Sequence, residues 1–136
     1  MNILVIDGQG GLLGSQIIKA ISGKYASYDI VAVGTNAVAT AAMIKAGAKK
    51  AASGENPVIV GCRKADVIIG PVGIVIADSL LGEITPEMAV AVGQSKAVKI
   101  LIPVNKCDNL IAGITNVTVS ALIEDVMLKL QNISDK

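Results

Sequence analysis

A chain of 136 residues with 52 % hydrophobic but only 1 % aromatic content is long enough for one domain with a substantial core, and that core must be aliphatic. Dispersed lysines, a net charge of +1 and two tyrosines in all provide neither a basic stripe nor a stacking platform, which argues against nucleic-acid binding. Mean hydropathy reaches +0.64, yet the uncharged runs 30–44 and 67–77 are too short to span a bilayer and glycines interrupt both. Two widely separated cysteines, Cys62 and Cys107, and a start that reads as a strand rather than a basic-then-apolar signal predict reduced thiols in a cytoplasmic protein.

In chain order, the apolar run Ile3 to Ile6 predicts a strand. After a glycine-rich turn, Leu12, Leu13, Gln16, Ile17, Ala20 and Ile21 recur at helical spacing until Gly23. Asp29 to Val33 reads as a second strand closed by Gly34-Thr35, with Asn36 capping a helix through Ala46 that Gly47 ends. Lys49 to Ala52 predicts a short third strand, followed by a helix to about Lys64 with Asn56 as cap and Pro57 at its first position. Asp66 to Ile69 is a fourth strand ending at Gly70-Pro71. From Gly73 to Leu81 a short helix is expected, because Ile74, Ala77 and Leu81 would share a face. Thr85 caps a further helix to about Gln94, Val98 to Ile102 is a fifth strand, 111–117 a final edge strand, and Ser120 to Leu130 an amphipathic closing helix.

This alternation predicts an α/β fold of three layers, a Rossmann-like open parallel sheet of about five strands with helices on both faces, over the whole of residues 1–136. Every strand then points its carboxyl end the same way. The segments 7–12, 34–36, 54–56, 70–73 and 103–107, where glycine, proline and asparagine concentrate, gather on the rim where ligands of open α/β sheets bind.

The first of these is the most telling. Gly8, Gly10, Gly11 and Gly14 put four glycines on seven positions directly after the first strand. A strict G-x-G-x-x-G fails, because Leu13 stands where its third glycine should be, whereas Gly8-x-x-Gly11-x-x-Gly14 fits. That spacing resembles the loop of the extended short-chain dehydrogenases. The resemblance implies Gly8 for the turn out of the strand, Gly11 for close approach of backbone to a pyrophosphate, and Gly14 for helix-on-strand packing. The physical basis is the free N–H groups and positive dipole end of the first helix, which bind an anion without any lysine. No Lys-Ser or Lys-Thr follows, so this is not an NTP-hydrolysing phosphate loop.

The expected nucleotide, NAD(P)-like or another, would place its phosphates on Gly8, Gln9, Gly10, Gly11 and Leu12. Its sugar or base would lie near Thr35 and Asn36, and near Gly70, Pro71 and Gly73. The acid that usually receives ribose hydroxyls at the end of the second strand is missing, since that place reads Gly34-Thr35-Asn36. Asp7 beside a phosphate loop either accepts hydrogen bonds from the loop's own N–H groups or ligates Mg²⁺ at a strand end.

Catalytic candidates are few. There is no histidine, so a histidine base is excluded, and neither Tyr25 nor Tyr28 has a lysine four positions on. The polar groups of the rim are Asp7, Gln9, Glu55, Asn56, Asp78, Asn105, Lys106 and Cys107. Glu55 is the candidate base or ribose carboxylate, against a solvated first-turn acid as the plainer role. Cys107 beside Lys106 is either an activated thiol or inert.

Across the stretches DGQGG, GTNAVAT, GEN, DVIIGPVGIVIADSLLGEITPEMA and ILIPVNKC, the chain closely resembles a family of short prokaryotic proteins described as domain of unknown function 3842. The resemblance implies a Rossmann-like domain and brings no activity, substrate or catalytic residue with it. Three functions therefore stay open: a nucleotide-binding protein, a non-catalytic oligomeric sensor of a small anion, and a Mg²⁺-assisted phosphoryl-transfer enzyme using Asp7 with Asp78 or Glu55. A homo-oligomer is expected from the apolar stretch Val67 to Leu81, with the contact near residues 73–85.

Overall fold

The structure, a computed structural model, describes residues 1–104 and 108–135. Five strands, β1 (Asn2–Asp7), β2 (Asp29–Gly34), β3 (Lys50–Ser53), β4 (Val67–Pro71) and β5 (Val98–Ile102), form one sheet in the order β3-β2-β1-β4-β5, parallel at every pairing. Helices α1 (Leu12–Lys24), α2 (Ala37–Lys45), α3 (Glu55–Lys64), α4 (Pro86–Gln94) and α5 (Val119–Ser134) alternate with them.

Strand pleating divides the core. Ile3 and Val5 of β1 pack with α1, α2 and α5 through Ile17, Ile21, Met43 and Leu130. Leu4 and Ile6 point to the other face, against Val58 of α3 and Met88 and Val92 of α4. The central strands β1 and β4 are therefore apolar on both faces over Ile3–Ile6 and Val67–Ile69, while β3 and β5, at the edges, keep exposed residues.

Local caps start three helices, at Asn36 and Thr85 as the sequence predicts and at Thr118 in addition. Asn36 Oδ1 accepts from Ala39 N–H at 2.8 Å, Thr85 Oγ1 accepts from Met88 N–H at 3.2 Å, and Thr118 Oγ1 serves Ala121 N–H at 3.1 Å. Three expectations are corrected. Helix α3 begins at Glu55 with Gly54 as its cap residue, so Pro57 lies third in the first turn, where its missing N–H still costs nothing. Residues 111–117 form turns, not a strand. Ile111, Ile114 and Val117 recur every third residue rather than every second, and Ile114 and Val117 are exposed.

The helix expected over 73–81 is a single 3-10 turn, Val72–Val75, followed by a run of turns. Asp78, Leu80 and Leu81 all have positive φ, at 66°, 55° and 58°, which no right-handed helix permits. The buried anchors of this strap are Ile74, Leu80 and Ile84, and Leu81 is 94 % exposed.

Candidate functional site

The turn after β1 is built around Asp7. Its carboxylate accepts from Gly8 N–H at 2.8 Å through Oδ1 and from Gly14 N–H at 2.7 Å through Oδ2, tying the strand end to the third residue of α1. Burial pushes the Asp7 carboxyl above its ordinary range, the two N–H bonds oppose this, and the charge of Glu83 adds to the rise. With both oxygens facing loop N–H groups, Asp7 serves as a staple of the turn. No three His, Cys, Asp or Glu side chains gather as metal ligands among the described residues.

Two of the glycines turn out to be packing positions. Gly11, at φ 74°, caps α1, and a Cβ there would meet the Ala39 backbone, its O at 2.7 Å and its Cα at 2.8 Å. The side of Gly11 expected to admit a pyrophosphate is thus filled by the first turn of α2. Gly14 backs onto Met43 Sδ at 2.6 Å and Asp7 Cβ at 2.9 Å, the helix-on-strand contact its spacing implied. Gly10 differs: a Cβ there would meet nothing within 4 Å. The N–H groups of Gly10, Leu12 and Leu13 have no hydrogen-bond partner among the described residues, so the open end of α1 keeps its capacity for an anion.

Glu83, which no sequence motif marks, closes one side of this turn. Its Oε1 accepts from Gln9 N–H at 3.0 Å, from Asn36 Nδ2 at 2.7 Å and from the Thr35 hydroxyl. Burial raises the Glu83 carboxyl, but the bonds from Thr35, Gln9 N–H and Asn36 together outweigh it and hold the group below its ordinary range. Asn36 also donates to Gln9 O at 3.0 Å, so Gln9, Thr35, Asn36 and Glu83 form one polar cluster across the ends of β1 and β2. Gly8 is a glycine because this cluster and its strap press on it: a Cβ would meet Thr35 Oγ1 at 2.7 Å, Leu80 Cδ1 at 2.9 Å and Glu83 Oε1 at 3.1 Å. The only sequence signal for Glu83 was an acid between two apolar residues, Leu80 and Ile84.

The structure does not bring the other expected residues to this cluster. Gly70, Pro71 and Gly73 are buried. A Cβ on Gly70 would meet Ile6 O at 2.5 Å, and one on Gly73 would meet Ser79 Oγ at 2.8 Å, because the strap folds down over the end of β4. Glu55 accepts from the Thr85 hydroxyl at 2.5 Å, linking the starts of α3 and α4. Asp78 is exposed, its N–H donating to Ile84 O at 2.7 Å within the strap. Asn105, Lys106 and Cys107 lie outside the described residues. A groove of about 740 Å³ between α3 and α4, lined by Ile59, Cys62, Arg63, Val90 and Lys96 among others, contains none of the expected ligand residues. Burial pushes the Cys62 thiol up to about 11, against the attraction of Lys99, so it is inert at neutral pH.

Strand order β3-β2-β1-β4-β5 with a glycine turn opening the first helix defines a Rossmann-like α/β protein. Residues 2–135 match the family described as Domain of unknown function (DUF3842), and the chain belongs to that family. No curated protein matches the chain. Among solved structures it is similar to a dodecameric FMN-dependent Ubix-like decarboxylase from Escherichia coli O157:H7, at 17 % identity and a TM-score of 0.47, covering 98 % of this chain and 77 % of that one. No helix among the described residues is long and apolar enough to cross a membrane.

Proposed function

We propose that the rim around the glycine turn binds a nucleotide, its phosphates on the N–H groups of Gly10, Leu12 and Leu13 and its sugar toward Thr35 and Asn36. The observation that carries this reading is the set of three unpartnered N–H groups beside the open face of Gly10. They lie at the carboxyl end of β1, where the chain order of the sheet reverses direction between β1 and β4. The strap covers the end of β4 and sets Glu83 on Thr35 and Asn36, which leaves the open face of Gly10 as the approach for the phosphates. The same geometry favours a binding protein over an enzyme. Asp7, Glu83 and Glu55 each already hold protein donors, and no free acid–base pair stands beside the turn among the described residues.

Native mass spectrometry of the purified protein, looking for a retained nucleotide, and calorimetric titration with ADP test this. Gly10 has an ordinary negative φ and open space, so Gly10→Val should fold as the wild type and lose at least about tenfold in affinity, the scale of about 1.4 kcal/mol. Equal affinity in the folded variant would remove the turn as the binding site.

A further inference from the structure

We propose that the groove between α3 and α4 seats a second copy of this chain, the two α3–α4 faces packing antiparallel about a two-fold axis. The groove lies on the face of the sheet opposite α1, and the contact does not depend on the nucleotide reading above.

The two helices lie side by side, where Val58 and Cys62 of α3 join the same core as Met88 and Val92 of α4. Each returns from the carboxyl ends of the parallel strands to their amino ends, so they run in the same direction. Two hydrogen bonds hold this alignment. The Thr85 hydroxyl donates to Glu55 at 2.5 Å where the helices start, and Ser95 Oγ donates to Cys62 O at 2.7 Å where they end. The groove of about 740 Å³ between them is lined by Ile59, Val90 and Ala91 along its length, and Val90 is 51 % exposed. Gly93 shares a helix face with Pro86 and Val90, is exposed, and has open space where a Cβ would stand. Alanine would fit there and hold the helix better, so this glycine serves the close approach of a neighbour rather than the packing of its own chain.

Charge decides what the neighbour is. Glu87, in the first turn of α4, stands at one end of the groove. Arg63, in the last turn of α3, and Lys96, just past the end of α4, stand at the other. All three are exposed, and among the described residues none has an ion-pair partner. The complementary surface is apolar in its middle, with cations to meet Glu87 and an anion to meet Arg63 and Lys96. This same face turned end for end has that pattern. With the axis crossing α4 between Val90 and Ala91, the Val90 side chains meet at the centre and Glu87 of each copy faces the Arg63 and Lys96 end of the other. A two-fold contact repeats each favourable pair, and antiparallel helices also set opposite dipole ends side by side.

The test is sedimentation with native mass spectrometry, at micromolar protein, on the wild type and two charge-reversed forms, Glu87→Lys and the double variant Arg63→Glu with Lys96→Glu. The three positions are exposed, so both forms should fold as the wild type, which circular dichroism checks. In each form both ends of the face carry one sign. Its association at this face should weaken by about tenfold or more, because like charges set opposite each other are costly and the axis repeats the clash. Mixed in equal amounts, the two forms are complementary at both ends, and the mass that each lost alone should return as a species holding one copy of each. A contact elsewhere on the chain would persist in all three proteins, so mass lost and regained reports on this face alone. A monomeric wild type would overturn the proposal and leave the groove to a foreign helix. A wild-type assembly that neither reversal weakens, or a loss that mixing does not restore, would overturn it as well and leave these charges serving only their own helices.

Discussion

Gly11→Ala should unfold this protein far more readily than Gly10→Ala, although the two glycines are neighbours in the same turn. At Gly11 an added methyl meets Ala39 O at 2.7 Å and Ala39 Cα at 2.8 Å. These are backbone atoms of α2 and cannot swing aside as a side chain would. Alanine at φ 74° costs roughly 1–2 kcal/mol, and forcing α2 outward adds the overpacking cost of about 1–3 kcal/mol. The expected loss is thus on the order of 2–5 kcal/mol, a large part of the ~5–15 kcal/mol that holds a domain folded. At Gly10 the methyl meets nothing and φ is negative. Removing the freedom of glycine from the unfolded chain should there leave stability unchanged or raise it by up to ~1 kcal/mol. Urea unfolding followed by far-ultraviolet circular dichroism compares the three proteins directly. Coincident midpoints for Gly11→Ala and Gly10→Ala would refute the packing argument and return Gly11 to the ligand.

Acid stability should carry opposite contributions from the two carboxylates of the turn. Glu83 is held below its ordinary 4.5, so its contribution is present above that pH and disappears as pH falls through the lower folded value. Asp7 is raised above 3.8, so its burial lowers stability progressively as pH rises from there through the folded value. Melting temperatures across the acid range should therefore show Glu83→Gln and Asp7→Asn altering the slope in opposite senses, and a same-sign change would contradict the assignment. Self-association is expected at the strap: Leu81 at 94 %, Leu12 at 70 % and Val38 at 68 % exposure begin or precede helices at the same end of the sheet. Sedimentation at micromolar protein should give a dimer or larger, reduced by Leu81→Ser, and a monomeric wild type would contradict it.

The alternation of strands and helices, the caps at Asn36 and Thr85, and the glycine turn after β1 were legible in the sequence because each depends on residues within a few positions of one another. Apolar spacing sets which face is buried, and a capping side chain reaches an N–H three residues on. The errors fell where that local logic gives way. Residues 73–81 have a helical apolar pattern, but Leu80 and Ile84, not Leu81, are drawn into the core, and the chain takes a left-handed path to bury them. Only the tertiary structure set Glu83 on Gln9, across 74 residues of chain, and Glu55 on Thr85, across 30. It also put the backbone of Ala39 where Gly11 was expected to face a ligand. Those juxtapositions follow from the order in which parallel strands align and from the depth to which the strap packs, both decided by contacts between elements remote in sequence. The sequence places a glycine turn at the end of a strand; which glycine meets a helix, which meets solvent, and which carboxylate stands beside them are properties of the assembled sheet.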